Sequence, residues 1–270
     1  MTKTCVLLCS TLLLLSCRPA AAPPEEFPAG RIVDLSYAYD EQTTIFWPTA
    51  ENFKLDRVAE GMTPDGYYYA ANNFSTAEHG GTHLDAPIHF AAGRHSVEQI
   101  PLEQLLGRAV VVDVAASCAS NPDYQIGVAD FQKWEEAHGQ LPPGVILLLR
   151  TGYGKFWPDR RRYMGTDERG AEAVAKLHFP GLHPEAARWL AANRSVKAIG
   201  LDTPSIDYGQ STLYESHRIL FDKNIPAFEN LANLDQLPPT GFQVIALPMK
   251  IKGGSGGPLR IIALVNPARD

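Results

Sequence analysis

The segment Glu78-His79-Gly80-Gly81-Thr82-His83-Leu84-Asp85-Ala86-Pro87-Ile88-His89-Phe90 places three histidines and one aspartate within eleven positions, in a 270-residue chain with eight histidines in all. Core packing gives no reason to gather such groups, because each costs desolvation unless a partner satisfies it. Two histidines four apart could share a helical face, but Gly80, Gly81 and Pro87 oppose a helix here. Extended or irregular backbone is the expectation. Side chains then alternate, so His83 and Asp85 point the same way, and the two glycines let the chain turn to bring His79 alongside. Two imidazoles and a carboxylate converging on one point suit Zn²⁺ or Mn²⁺, and Co²⁺ is compatible with the same donors. A position left open for water marks a catalytic rather than a structural metal site.

The rest of the chain holds fewer chemical signals. His138, His178 and His183 read as ordinary structural residues. Cys118, in Ala115-Ala116-Ser117-Cys118-Ala119-Ser120, has no neighbouring histidine to activate it. The run Arg160-Arg161-Arg162 reads as a solvated face. Asp202-Thr203-Pro204-Ser205 follows a strand and reads either as support for the site or as a turn. The glycines of 253–258 lack the Lys-Ser/Thr that follows a phosphate loop, so a sheet-edge turn permitting close backbone approach accounts for them better. Gly-x-Ser-x-Gly is absent, which disfavours a serine-hydrolase route. Trp47 is a candidate wall for a planar substrate, while Tyr67, Tyr68 and Tyr69 read mainly as core.

The elements that must position these groups follow from apolar pattern. Strands are expected at 32–35, 53–58, 67–74, 109–114, 145–150, 196–201, 242–247 and 259–265. Helices are expected over 128–138, 184–192 with Pro184 in the first turn, and 213–221. The fold class is therefore α/β, a single β-rich domain with a mixed sheet. Residues 151–183 lack a period and read as a long loop, either a lid or a solvated excursion. Composition agrees: 45% hydrophobic residues suffice for one sizeable core, and 24 Lys plus Arg against 30 Asp plus Glu leave a formal charge of -6, so no nucleic-acid partner is expected.

Lys3, an apolar stretch from Cys5 to Leu15, and the small residues and prolines at 19–24 follow the order of a secretory signal. We expect residues 1–22 to be a signal peptide, 23–30 a proline-rich linker, and 31–270 the domain, with an exported, periplasmic or lipid-anchored location. Leu14-Leu15-Ser16-Cys17 resembles a lipobox, which makes Cys17 a possible lipid anchor. Losing Lys3 and Arg18 with the leader moves the formal charge from -6 to -8. Cys118 would be the single cysteine of the mature chain, so export brings no intrachain disulfide.

The segment 79–89 resembles the His-x-Gly-Thr-His-x-Asp-x-Pro-x-His signature of the cyclase family, which includes bacterial kynurenine formamidases and isatin hydrolases. Further similar stretches are Trp47-Pro48, Leu149-Arg150-Thr151, Gly200 to Asp207 and Gly253 to Arg260. The resemblance implies the swivelling β/β/α type of fold, His79, His83 and Asp85 as metal ligands, and His89 as the catalytic acid/base. It also implies a second pair of ligands twelve residues apart, which His217 and Glu229 match, with Asp85 bridging two metals. Isatin hydrolases of the family lack that glutamate and use one manganese. The implied activity is metal-dependent hydrolysis of a small aromatic amide, arylformamidase-like and acting on a compound such as N-formylkynurenine. The alternatives are an isatin-type cyclic amide or lactone hydrolase and, from another class, a non-catalytic exported metal- or ligand-binding protein. One or two Zn²⁺ or Mn²⁺ ions per subunit and a homo-oligomer are further implications.

Overall fold

A computed structural model describes residues 30–266. The expected signal peptide, its Cys17, and all but the last residue of the expected linker lie outside the described residues. Among the described residues twelve strands form: β1 (Arg31–Asp34), β2 (Lys54–Met62), β3 (Tyr68–Ser75), β4 (His83–Asp85), β5 (Leu106–Asp113), β6 (Gln125–Ile126), β7 (Val145–Arg150), β8 (Gly181–Leu182), β9 (Val196–Leu201), β10 (Ala227–Glu229), β11 (Phe242–Pro248) and β12 (Gly256–Val265). Seven α-helices accompany them among the same residues: α1 (Leu102–Leu105), α2 (Ala115–Ser120), α3 (Val128–His138), α4 (Arg160–Met164), α5 (Ala171–Val174), α6 (Pro184–Asn193) and α7 (Glu215–Phe221). No helix among the described residues is long and apolar enough to cross a membrane.

Eight strands form one sheet in the order β1-β12-β11-β5-β7-β9-β10-β4, and β4 pairs back onto β12, so the sheet closes on itself. β5, β7, β9 and β10 run parallel, while β4, β11 and β12 add antiparallel pairs, giving the mixed sheet expected of this α/β chain. Closure explains the apolar runs. β7 reads Val-Ile-Leu-Leu-Leu and is buried throughout, because alternate residues face two different cores. Ile146 and Leu148 point inside the closed sheet with Leu84, Phe228 and Ile261. Leu147 and Leu149 point outward onto a layer containing Phe131, Leu190 and Phe221 from α3, α6 and α7.

All eight expected strands and all three expected helices are present, with boundaries moved by a few residues. Two expectations fail. Residues 151–183 are not a bare loop: they hold a 3₁₀ turn at Tyr153–Phe156, α4, α5 and β8. Tyr163, Met164, Leu177 and Phe179 from this stretch are fully buried in the outer core, so apolar anchors between glycines replace the missing period. The stretch is packed wall rather than solvated excursion. Tyr67, Tyr68 and Tyr69 are not core either, since all three are more than half exposed. β2 and β3 pair only with each other, so their alternation serves a hairpin with no sheet beneath it.

Candidate metal centre

β4 carries the site. Its three residues are buried, with Leu84 turned into the closed sheet and His83 and Asp85 onto the other face, as alternation in an extended chain requires. β10 and β12 flank β4 antiparallel, and register places Glu229 opposite His83 and Gly256 opposite Asp85. α7 precedes β10 and packs so that buried His217 reaches the same point. The preceding segment turns at Gly81, whose φ of +57° and contact with the Tyr39 ring leave no room for a side chain. That turn sets His79 beside Asp85. A single 3₁₀ turn over Pro87–His89 then lays the His89 ring against that of His79, with centroids 3.8 Å apart and planes 18° apart.

His79 Nδ1 lies 2.6 Å from Asp85 Oδ1. His83 Nε2 lies 3.1 Å from the same oxygen and 3.5 Å from Glu229 Oε2. His217 Nε2 lies 3.2 Å from both Asp85 Oδ2 and Glu229 Oε1. All six residues expected at the centre therefore converge on one pocket. The donor atoms form two overlapping groups, His79–Asp85–His89 and His83–Asp85–Glu229, each within 4.8 Å and both containing Asp85. Asp85 is the residue common to both groups. His89 sits close enough to count among the donor groups as well as beside them.

The donor set fits a divalent cation on three observations. His83 donates Nδ1–H to the Gly81 carbonyl at 2.9 Å, which leaves Nε2 buried and without a hydrogen-bond partner. Such an orphan is costly unless something binds it. Burial and the neighbouring Asp85 charge push the Glu229 carboxyl above its ordinary range. A cation between the two carboxylates would relieve both penalties. Burial opposes protonation of His217, yet hydrogen bonds to Asp207, Asp85 and Glu229 raise it well above its ordinary value, so the site draws positive charge. Burial likewise works against the Asp85 carboxylate, but His79, His83 and His217 hold it well below the usual range.

His79, His83 and His217 are each aimed by a second contact, and sequence reasoning missed most of these. Asp207 Oδ2 accepts from His217 Nδ1 at 2.5 Å and from the His217 backbone N–H at 3.2 Å, and Oδ1 accepts from the Ser216 N–H at 3.0 Å. His79 Nε2 meets Ser255 Oγ at 2.8 Å, and Ser255 donates its own N–H and hydroxyl to Glu78 Oε2 at 3.0 and 2.6 Å. The expected close approach at 253–258 is real: a side chain on Gly256 would come within 2.7 Å of the His79 ring. The Asp202 carboxylate hydrogen-bonds to none of the converging side chains. It accepts from Thr151 N and Oγ1 at 2.7 Å each and anchors the wall strand's exit. The segment after it delivers Asp207 and the Ile206 N–H, which donates to Glu229 Oε1 at 2.8 Å.

The converging side chains floor a cavity of about 360 Å³ with an apolar upper wall of Ile45, Phe46, Trp47, Phe90 and Tyr214. That volume and character suit a small aromatic molecule. Trp47 is on this wall as expected, edge-on to Phe179 and Tyr214 at 6.3 and 6.4 Å. Phe90 and Tyr214 were not anticipated; Phe90 packs 4.6 Å from the His217 ring. Tyr214 sits at φ 48°, a left-handed conformation rare for an aromatic residue. Burial above all, opposed by the Asp85 charge and reinforced by the neighbouring imidazoles, pushes His89 down to about 4. Its ring is neutral at pH 7 and is a proton acceptor first.

A family model described as "Putative cyclase" matches residues 33–208. The isatin hydrolase of Roseibium aggregatum is 32% identical over 212 residues, covering 76% of this chain and 78% of that protein. The kynurenine formamidase of Salinibacter ruber is 28% identical over 231 residues, covering 86% of this chain and 96% of its own. Among solved structures, isatin hydrolase A from Labrenzia aggregata bound to benzyl benzoate superposes with a TM-score of 0.79 at 34% identity, covering 88% of this chain and 94% of that one. The chain belongs to the cyclase family.

Proposed function

We propose that this protein hydrolyses the carbon–nitrogen bond of a small aromatic amide at a centre of one or two divalent cations. The observation that carries the reading is the convergence of His79, His83, Asp85, His217 and Glu229 beneath an aromatic-walled cavity, with neutral His89 beside them. When bound, a divalent cation polarises an amide carbonyl and lowers the pKa of water from 15.7 towards about 7. His79, His83, Asp85, His217 and Glu229 would hold it. His89 takes a proton from the attacking water at a ring nitrogen and returns it to the departing nitrogen as the tetrahedral intermediate collapses. Gly81, Asp207 and Ser255 fix the imidazole orientations so that no reorganisation is needed at that moment. Trp47, Phe90 and Tyr214 orient the aryl group and keep bulk water out. A bare binding protein would have no use for a proton carrier in that place, which argues against the non-catalytic alternative.

Two substrate classes share this attack and differ in the leaving group. Glu229, facing both His83 and His217, supports a two-metal site and a linear aryl formamide such as N-formylkynurenine. Similarity to isatin hydrolases supports a cyclic amide such as isatin. The leader sequence at 1–22 supports export, with the substrate met outside the cytoplasm. Metal content per chain, measured with formate release from N-formylkynurenine and ring opening of isatin, tests the proposal. Two ions with formate release support the formamidase reading, and one ion with ring opening supports the lactam reading. A metal-free protein that hydrolyses either substrate after chelation overturns the mechanism.

A further inference from the structure

We propose that Arg160 and Arg169 are positioning residues for the aromatic wall of the cavity, holding Phe46 and Trp47 where they set substrate affinity; the proposal rests on the amide-hydrolase reading of the centre. The wall segment 45–50 lies between two supports. On one side the Ile45 carbonyl accepts from the Gly81 N–H at 2.9 Å, and Phe46 forms an isolated antiparallel bridge with Gly80. A side chain on Gly80 would overlap the Phe46 ring, so the wall rests directly on the backbone beside His79. The other support comes from the 151–183 stretch. Arg160 Nη1 donates to the Phe46 carbonyl at 2.7 Å, the Gly170 N–H donates to the Pro48 carbonyl at 2.9 Å, and Arg169 Nη2 donates to the Ala50 carbonyl. Both arginines reach across more than a hundred positions of chain to do so.

Arg160 occupies that place at a cost. Within the run 160–162, Arg161 and Arg162 are exposed as a solvated face requires, and Arg162 covers the Phe156 ring at 4.6 Å, but Arg160 turns inward and is half-buried. Its Nε and Nη2 are buried without a hydrogen-bond partner among the described residues. Burial, joined by the charge of Arg169 and opposed by that of Asp167, lowers its pKa to about 10. An aliphatic side chain of similar length would fill the same space without the penalty of unpaired polar groups and a desolvated charge. Packing therefore does not account for the guanidinium. What does is its one satisfied nitrogen, which fixes a carbonyl of the cavity wall.

Phe46, Trp47 and Ala50 all line the cavity, so the three held carbonyls bracket the aromatic surface that meets the aryl group. Loosening the segment displaces that surface without removing any of the converging side chains. Binding is then lost equally in the ground state and the transition state, which raises KM and leaves kcat in place. A residue that served stability alone would show the opposite pattern, with a lower melting temperature and no selective change in KM.

Arg160→Met, Arg160→Lys and Arg169→Gln in the metal-loaded protein test this, with fluorotryptophan at the four tryptophans and the Trp47 fluorine signal assigned by its loss in Trp47→Phe. Arg160→Met is expected to keep its metal content and kcat and to melt no lower than the wild type. Its KM should rise roughly 10-fold, the scale of one lost apolar contact in a binding pocket, and its Trp47 signal should shift or broaden while those of Trp134 and Trp189 stay. Arg160→Lys retains a donor and is expected to recover most of the affinity. Arg169 is exposed, so Arg169→Gln folds normally and is expected to raise KM in the same direction. Unchanged KM and an unchanged Trp47 signal in both Arg160→Met and Arg169→Gln overturn the proposal. So does an Arg160→Met protein that melts earlier, with kcat reduced and every fluorine signal moved, which would make Arg160 a structural residue. The fluorine signal needs no substrate: if the wild type turns over neither isatin nor N-formylkynurenine, the amide-hydrolase reading fails, while a displaced Trp47 signal still supports the hold of the arginines on the wall.

Discussion

Asp207→Asn separates a metal ligand from the group that aims it. In the native protein the two Asp207 oxygens accept, besides the Ser211 hydroxyl at 3.4 Å, three donors from α7: His217 Nδ1 at 2.5 Å, the His217 N–H at 3.2 Å and the Ser216 N–H at 3.0 Å. A carboxylate satisfies all three, whereas an asparagine has one accepting oxygen and must turn its NH₂ towards at least one donor. Facing the imidazole, the NH₂ drives the ring proton onto Nε2, the atom 3.2 Å from both Asp85 and Glu229, and a protonated Nε2 cannot bind a cation. Facing the backbone, it opposes the first turn of α7. Losing a partner of this kind costs about 10–100-fold in metal affinity, equivalent to about 1.4–2.7 kcal/mol. Chelator competition reads the dissociation constant, and turnover at saturating metal then reads the chemistry. The expected result is weakened binding with much of the turnover restored by excess metal. Wild-type affinity in the variant would refute the argument that the Asp207 contact sets the His217 tautomer.

His89→Ala should lower turnover by about 10²–10⁴ with metal content unchanged, while His83→Ala should lose metal; equal metal loss in both would make His89 a ligand instead. Gly256→Ala inserts a methyl within 2.7 Å of the His79 ring and 2.5 Å of the Leu84 carbonyl, so both thermal stability and metal affinity should fall, and an unchanged melting temperature would count against the packing described. Burial pushes the Cys118 thiol up to about 12, so the native chain from residue 23 onward should resist alkylation at pH 8 and expose one thiol only on denaturation; rapid native labelling would show the site is open. Hydrogen bonds from Arg194 hold the Glu135 carboxyl below its ordinary range, with Arg194 Nε and Nη2 each 2.7 Å from its oxygens. A depressed folded pKa gives stability that is present above the unfolded value near 4.3 and lost as pH falls through the folded one. Glu135→Gln should therefore destabilise by about 1.5–3 kcal/mol at neutral pH, a gap that closes in acid, and a gap independent of pH would remove the charge from the explanation.

The secondary structure was legible wherever one face of an element meets a core. β7 and β9 keep their expected bounds: β7 is a run of five apolar residues before Arg150, and β9 keeps Val196, Ala198, Ile199 and Leu201 around Lys197 and Gly200. The three-residue strand β10 was invisible as a strand, since so short a segment has no period, and β4 was legible only as extended or irregular backbone without a place in a sheet. The 151–183 stretch misled because its order comes from scattered anchors such as Tyr163 and Phe179. The tyrosines of β3 misled in the opposite direction: alternation signals two distinct faces and does not say that either is covered.

For the centre, the sequence by itself determined the local set. His79, His83, Asp85 and His89 lie within one turn-and-strand segment, so residue type, alternation and the forced turn at Gly81 suffice to bring them together. His217 and Glu229 were marked only by family resemblance. Asp207, Ser255, Phe90 and Tyr214 received no role at all. What placed these residues was closure of the sheet: pairing β4 with both β10 and β12 sets Glu229 against His83 and Gly256 against Asp85. Contacts between residues more than a hundred positions apart depend on strand register, and no local pattern of residues encodes register across a closed sheet.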